Sequence, residues 1–189
     1  MLKIYFPLPN GKSFAFVARC GSTSLATACL KQFFPELYDK WISIQDREHG
    51  GYAHRMLPHR VTNDLPSGCV VVIRNPVERF MSLCARTGTD PALALLRVRA
   101  LFGSVAPERR EQLETATWDW MNHFRPVSTI AQTDSRLVRF EHVSEAFELL
   151  GCSNFTHINA IDHDSAEEDF HAAVLAAYAE DQRLWSELP

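Results

Sequence analysis

Residues 69 to 73, CVVVI, form an unbroken apolar run that ends abruptly in Arg74, Asn75 and Pro76. A strand with one solvated face would alternate apolar and polar residues. A run that is apolar at every position and mostly β-branched suits a parallel strand covered on both faces. Such a strand needs helices packed over it, and the flanking residues supply them. Pro76 suits the first turn of a helix, and Val77, Phe80, Met81 and Cys84 then fall on one stripe. Two more runs read as strands, Phe14 to Ala18 and Leu137 to Phe140. After the first of these, Leu25, Cys29 and Phe33 recur at helical spacing before Pro35 closes the stretch. Asp90 to Phe102, Pro107 to His123 and one C-terminal segment marked by Phe170, Val174 and Tyr178 also read as helices. Residues 36 to 67 and 124 to 136 read as irregular, and long loops of this kind often carry a site. Strands alternating with helices predict an α/β domain with a small, mainly parallel sheet flanked by helices.

The length of 189 residues suits a single domain spanning 1–189, and 46% hydrophobic with 22% charged residues lies in the globular range. A net charge of -4 argues against a general nucleic-acid binder. Positive charge is nevertheless gathered mid-chain in Arg74, Arg79, Arg86, Arg97 and Arg99. Five cysteines without a CxxC spacing predict reduced thiols and a cytoplasmic setting rather than a disulfide framework. The opening MLKIYFPLPNGK is broken by two prolines, and no stretch approaches a membrane-spanning length, so neither a signal peptide nor a membrane span is expected.

Two segments look built for anions. In FVARCGSTSL, residues 16 to 25, an apolar strand runs through small and hydroxyl side chains into a helix. Gly21 permits backbone conformations closed to other residues, and Ser22, Thr23 and Ser24 place hydroxyls at the helix start. The N–H groups and dipole there favour an anion, Arg19 adds full charge, and Cys20 lies within the same loop. An ordinary helix cap at Ser22 or Thr23 is the simpler alternative. In the second segment, Arg74 stands at the carboxyl end of a buried strand, where ligands of open α/β sheets bind. Arg79, Ser82 and Arg86 follow on one helix face, opposite the apolar stripe. The arginine fork matches phosphate oxygens, and a serine hydroxyl can share the same group. A solvated basic face paired with Glu78 is the alternative. Together the segments imply a ligand with phosphates at two separated positions.

These segments resemble the sulfotransferases that use 3′-phosphoadenosine 5′-phosphosulfate (PAPS), most closely the carbohydrate and heparan-sulfate branch. The resemblance implies a P-loop-like three-layer fold. It gives Arg19 to Ser24, Cys20 included, to the 5′-phosphosulfate, and Arg74 with Ser82 to the 3′-phosphate. NHFRPVSTI, 122 to 130, is similar to that branch's H-x-R-P-Q element with Val127 in place of glutamine, which implies acceptor-side roles for His123 and Arg125. RLVRFEHV at 136 to 143, HINA at 157 to 160 and YAEDQRLW at 178 to 185 are similar to further elements of the branch. One position departs from the pattern. The family carries lysine where Arg19 stands, assisting the leaving group, and arginine is not interchangeable with it. Two alternatives follow: a protein of this fold that binds nucleotide without turnover, and a P-loop kinase. The kinase is disfavoured by the missing GK[ST] ending and the lack of an evident Mg²⁺-binding carboxylate after a strand.

Sulfuryl transfer needs in-line placement, cations at the leaving phosphate and a base for the acceptor hydroxyl, and no metal. Of the eight histidines, His54 and His59 in GYAHRMLPHR lie between the two anion segments. His54 is the preferred base, with His59 on the substrate side. The expected reaction is transfer from PAPS to a hydroxyl, that of a sugar or glycan by the resemblance, leaving 3′-phosphoadenosine 5′-phosphate. The His- and acid-rich stretch 157 to 171 fits no metal-ligand spacing, and PERREQLE at 107 to 114 reads as a solvated helix face.

Overall fold

The computed structural model describes residues 2–45, 53–102, 123–153 and 168–189. Five strands, β1 (Lys3–Pro7), β2 (Ser13–Ala15), β3 (Arg60–Thr62), β4 (Val70–Ile73) and β5 (Arg136–Arg139), form one sheet in the order β3-β1-β2-β4-β5. The half from β2 through β4 to β5 is parallel, with Val71 opposite Leu137 and Ile73 opposite Arg139. All four residues of β4 are buried, so both faces of the sheet are covered there, as the unbroken apolar run requires.

The other half corrects the expectation of a mainly parallel sheet. β1 pairs antiparallel with both β2 and β3, so the sheet is mixed. The cause is a short hairpin: Leu8 N–H donates to Lys12 O at 2.8 Å, and Gly11 sits at φ +79° beside Asn10. Asn-Gly is a strong short-range hairpin signal, and a turn this short can return the chain only antiparallel. The edge strand β3 spans three residues, with Arg60 and Val61 exposed, and leaves no apolar pattern to read.

The described helices are α1 (Ser22–Phe33), α2 (Pro35–Gln45), α3 (Pro76–Thr87), α4 (Pro91–Phe102), α5 (Val143–Leu150), α6 (Glu168–Ala177) and α7 (Ala179–Glu187). α2 occupies residues expected to be irregular, because Pro35 opens a helix as readily as it closes one. The single C-terminal helix expected is two, meeting at Tyr178. The helix expected at 107 to 123 falls almost wholly outside the described residues.

One core cluster joins the sheet to α1, α2 and α5 through Phe14, Val71, Leu25, Leu30, Trp41 and Phe147. A second joins α3, α4 and α6 through Phe80, Leu83, Val98 and Val174, with the Phe80 ring 5.6 Å from that of Phe124 and 6.2 Å from that of Tyr178. The fold is α/β. Among the described residues, no helix is long and apolar enough to cross a membrane.

Candidate functional site

β2 feeds α1 through a tight turn in which Cys20 N–H bonds Val17 O at 3.3 Å. Arg19 at φ 62° and Gly21 at φ 76° both adopt the left-handed conformation, and Arg19 is the only described residue other than glycine to do so. Holding it there costs on the order of 1–2 kcal/mol. A Cβ on Gly21 would lie 3.2 Å from Cε2 of Phe140, so glycine is needed for space as well as for its dihedral.

Gly21 is also the N-cap of α1, and no side chain caps this end. Ser22 and Thr23, considered above as ordinary caps, lie inside the first turn. The N–H groups of Ser22, Thr23 and Ser24 therefore precede the first intrahelical bond, from Leu25 N–H to Gly21 O at 2.9 Å. α3 differs. There Asn75 Oδ1 accepts from Val77 N–H at 3.0 Å and Glu78 N–H at 3.3 Å, so its N-terminus is satisfied by its own chain. Of these two helix starts, α3 is capped by its own N-cap side chain, whereas the N-cap of α1 is a glycine that has none to offer.

That helix start opens into a cleft of about 590 Å³, counting its open mouth, lined also by Arg19, Arg74 and Arg86. The Arg74 guanidinium lies 4.9 Å over the Phe140 ring and pairs with Glu78 at 3.2 Å. Arg19 donates its Nε to Ser82 Oγ at 2.8 Å, and Ser82 is otherwise buried. Burial, then the like charges of Arg74 and Arg86, lower the Arg19 pKa. Cations are thus held together against their own repulsion, and none of the described lining residues is acidic. Such a site gains most from an anion that can meet more than one guanidinium.

Two histidines reach the cleft. His54 lies on a turn of 3₁₀ helix, Ala53–Arg55, and its ring sits 4.8 Å from that of Phe16. His123 lines the cleft from a segment pinned on several sides. Arg79 Nη2 donates to the carbonyls of His123 and Arg125, at 2.9 and 2.8 Å, while its Nε donates to Ala18 O at 3.1 Å. Tyr178 Oη donates to Phe124 O at 2.7 Å, and Asp181 accepts from the N–H groups of Val127 and Ser128 at 2.7 and 2.8 Å. Arg79 is 2% exposed and Ser82 1%, so this part of the face is neither solvated, as the alternative had it, nor open to a ligand, but packed against the anion loop and the His123 segment.

The structure thus brings Arg19, Gly21, Ser22, Thr23, Ser24, Arg74, His54 and His123 to one cleft. It does not bring there four other predicted residues. Cys20 is buried beneath the loop, with its thiol pushed up to about 11 by desolvation. His59 is exposed beside β3, with its ring edge-on to Phe6 at 6.4 Å. Arg125 is buried and donates to Thr129 Oγ1 at 2.7 Å, to Thr129 O at 3.0 Å and to Leu2 O. Ser82 stands behind Arg19 rather than on the cleft wall. Phe16 and Phe140 form walls that sequence reasoning did not single out. An aromatic at a strand end looks like core until its neighbours are known.

No family model, curated protein or solved structure matches the chain. Among the described residues, no group of three or more His, Cys, Asp or Glu could hold a metal ion; residues 157 to 167 lie outside them.

Proposed function

We propose that the cleft binds PAPS and that the protein transfers its sulfuryl group to an acceptor hydroxyl, that of a sugar or glycan by the resemblance. The observation that carries this reading is the meeting of the glycine-led α1 start with Arg19 and Arg74 in one cleft. Both anion segments can then act on a single bisphosphorylated nucleotide. The N–H groups of Ser22 to Ser24 and Arg19 hold the 5′-phosphosulfate. Arg74 holds the 3′-phosphate, and Ser82 joins it in exchange for its present bond to Arg19. In the transfer, the acceptor oxygen bonds to sulfur as the bond from sulfur to the bridging oxygen breaks. His54 takes the acceptor proton, and Arg19 with the loop amides stabilises the charge left on the 5′-phosphate. The surroundings of the cleft fit such a donor: three arginines beside the N-terminus of a helix.

Binding without turnover is the second reading, and one observation favours it. Arg19 stands where the resembled family has lysine, and its Nε is committed to Ser82. Transfer of labelled sulfate from PAPS to a panel of hydroxyl acceptors separates the two readings. Labelled product supports catalysis. Stabilisation by 3′-phosphoadenosine 5′-phosphate without labelled product supports binding alone, and stabilisation by ATP–Mg²⁺ in its place supports a kinase.

A further inference from the structure

Behind the cleft, α1 and α5 pack together, and their far ends carry chemistry that the anion site does not use. Cys29 in α1 and Cys152, just past the Gly151 cap of α5, bring their sulfurs to 3.6 Å with one thiol hydrogen-bonded to the other. All five cysteines are free and buried, and this is the one pair in sulfur contact. A disulfide needs a separation of about 2.05 Å, so closing this pair takes a movement of roughly 1.5 Å shared between two side chains. Both residues belong to the core cluster that joins α1 and α5, so they are held as neighbours by the packing around them.

The two thiols are not equivalent. Cys29 is fully buried, whereas Cys152 is 8% exposed. The Cys152 pKa is lowered, first by the hydrogen bond from Cys29 and also by the charge of Lys12, while burial opposes them. Lys12 Nζ lies 3.8 Å from where a Cβ on Gly151 would stand. Cys29 moves the opposite way, upward. The other buried thiols have no cysteine partner, and in them burial outweighs whatever lowers them: Cys20 and Cys69 are pushed up to about 11 and Cys84 to about 12. Reactivity follows thiolate character and access, and both single out Cys152.

We infer that Cys152 is an oxidation site for a hydroperoxide, that Cys29 is its resolving thiol, and that the product is a Cys29–Cys152 disulfide tying α1 to the end of α5. In the first step the Cys152 thiolate attacks the peroxide, its O–O bond breaks, and Cys152 becomes a sulfenic acid as hydroxide leaves. In the second, Cys29 sulfur attacks the sulfenic sulfur, the S–O bond breaks, and water leaves with the Cys29 proton. Two thiols are oxidised and one hydrogen peroxide is reduced to two waters. This pairing departs from the expectation of five reduced thiols, because sequence spacing cannot show that residues 29 and 152 meet. The inference is independent of the sulfotransferase proposal. It bears on the cleft all the same: Gly21 at the near end of α1 faces Phe140 and Val143 at the near end of α5, so the cross-link joins the far ends of the two elements behind that wall.

The test uses the full chain, reduced and then treated with stoichiometric hydrogen peroxide before denaturation and blocking with iodoacetamide. Two of the five thiols are expected to escape blocking. The intact mass falls by two hydrogens, dithiothreitol reverses the change, and peptide mapping links Cys29 to Cys152. Cys29→Ser is expected to stop at the sulfenic acid, trapped on Cys152 by dimedone. Cys152→Ser is expected to leave every remaining thiol unoxidised, which keeps the test usable if the first variant folds poorly. Five blocked thiols after peroxide, a cross-link through Cys20, Cys69 or Cys84, or a dimedone adduct on another cysteine would overturn the inference.

Discussion

Replacing Gly21 by alanine tests how the anion loop is built, and the structure supplies its own control. At φ 76° an alanine meets the left-handed penalty of about 1–2 kcal/mol. Its Cβ would also stand 3.2 Å from Cε2 and 3.4 Å from Cδ2 of Phe140, tighter than ordinary contact, and displacing that ring adds about 1 kcal/mol. The sum of about 2–3 kcal/mol corresponds to a melting point lower by about 4–12 °C for a chain of this size. Gly11→Ala is the control. Its φ is +79°, nearly the same, but its Cβ would meet nothing within 4 Å, so only the dihedral penalty applies. Urea denaturation of both variants should show Gly21→Ala losing about 1 kcal/mol more than Gly11→Ala, and adding Phe140→Leu should recover most of that excess. Equal losses at the two glycines, or no recovery, would refute the claim that Phe140 closes against the loop. Because Phe140 also underlies Arg74, Gly21→Ala should weaken nucleotide binding beyond its effect on stability.

Three further outcomes follow. Arg74→Ala should weaken 3′-phosphoadenosine 5′-phosphate about 10- to 100-fold by calorimetry, the worth of a charge-assisted contact, and leave adenosine 5′-phosphate nearly unchanged; equal losses would show that the 3′-phosphate assignment is wrong. Arg79→Met removes the donors to the carbonyls of Ala18, His123 and Arg125 and should cost at least about 3 kcal/mol in urea denaturation; a loss under about 1 kcal/mol would mean that those carbonyls find water. Stability should also fall as pH rises through the alkaline range. Cys20, Cys69 and Cys84 have folded-state values raised from 9.0 to about 11, 11 and 12, so the folded state holds their protons while the unfolded state releases them. Their contribution is full below about pH 9 and is lost progressively up to about pH 12; a melting point flat across that window would contradict it.

The parts of the fold that could be read from the sequence are those in which one strand and one helix carry their whole signal locally. CVVVI followed by Arg-Asn-Pro gives β4 and α3 almost to the residue, and the start of α1 at Ser22 follows from Gly21 and the run of hydroxyl residues that opens the helix. β3 could not be read, because it is an exposed edge strand whose partner lies nearly sixty residues upstream. The hairpin of β1 and β2 was legible in Asn10-Gly11, but the prolines beside it distract from that signal. α5 carries the pattern Val143, Ala146, Phe147, Leu150 on its buried face, yet with eight residues it is short enough to pass for the end of a strand.

The candidate site divides in the same way. Arg19 and Gly21 follow β2 and Arg74 follows β4, and parallel pairing of the two strands brings their carboxyl ends to the same side of the sheet. Arg79 looks like a further anion ligand in the sequence, and the resemblance puts Arg125 on the acceptor side. In the folded chain Arg79 donates to backbone carbonyls and Arg125 to the carbonyls of Leu2 and Thr129 and to Thr129 Oγ1, which no residue pattern reveals. Arg86, the last residue of the anion-facing stripe read on α3, is the one of its three that lines the cleft.

The most direct measurement is a crystal structure of the protein with 3′-phosphoadenosine 5′-phosphate bound. The account predicts the 5′-phosphate on the amides of Ser22 to Ser24 and the 3′-phosphate on Arg74, with His54 facing the space beside the 5′-phosphate. A nucleotide bound elsewhere, or one that leaves Arg74 and the α1 start without phosphate, would contradict it.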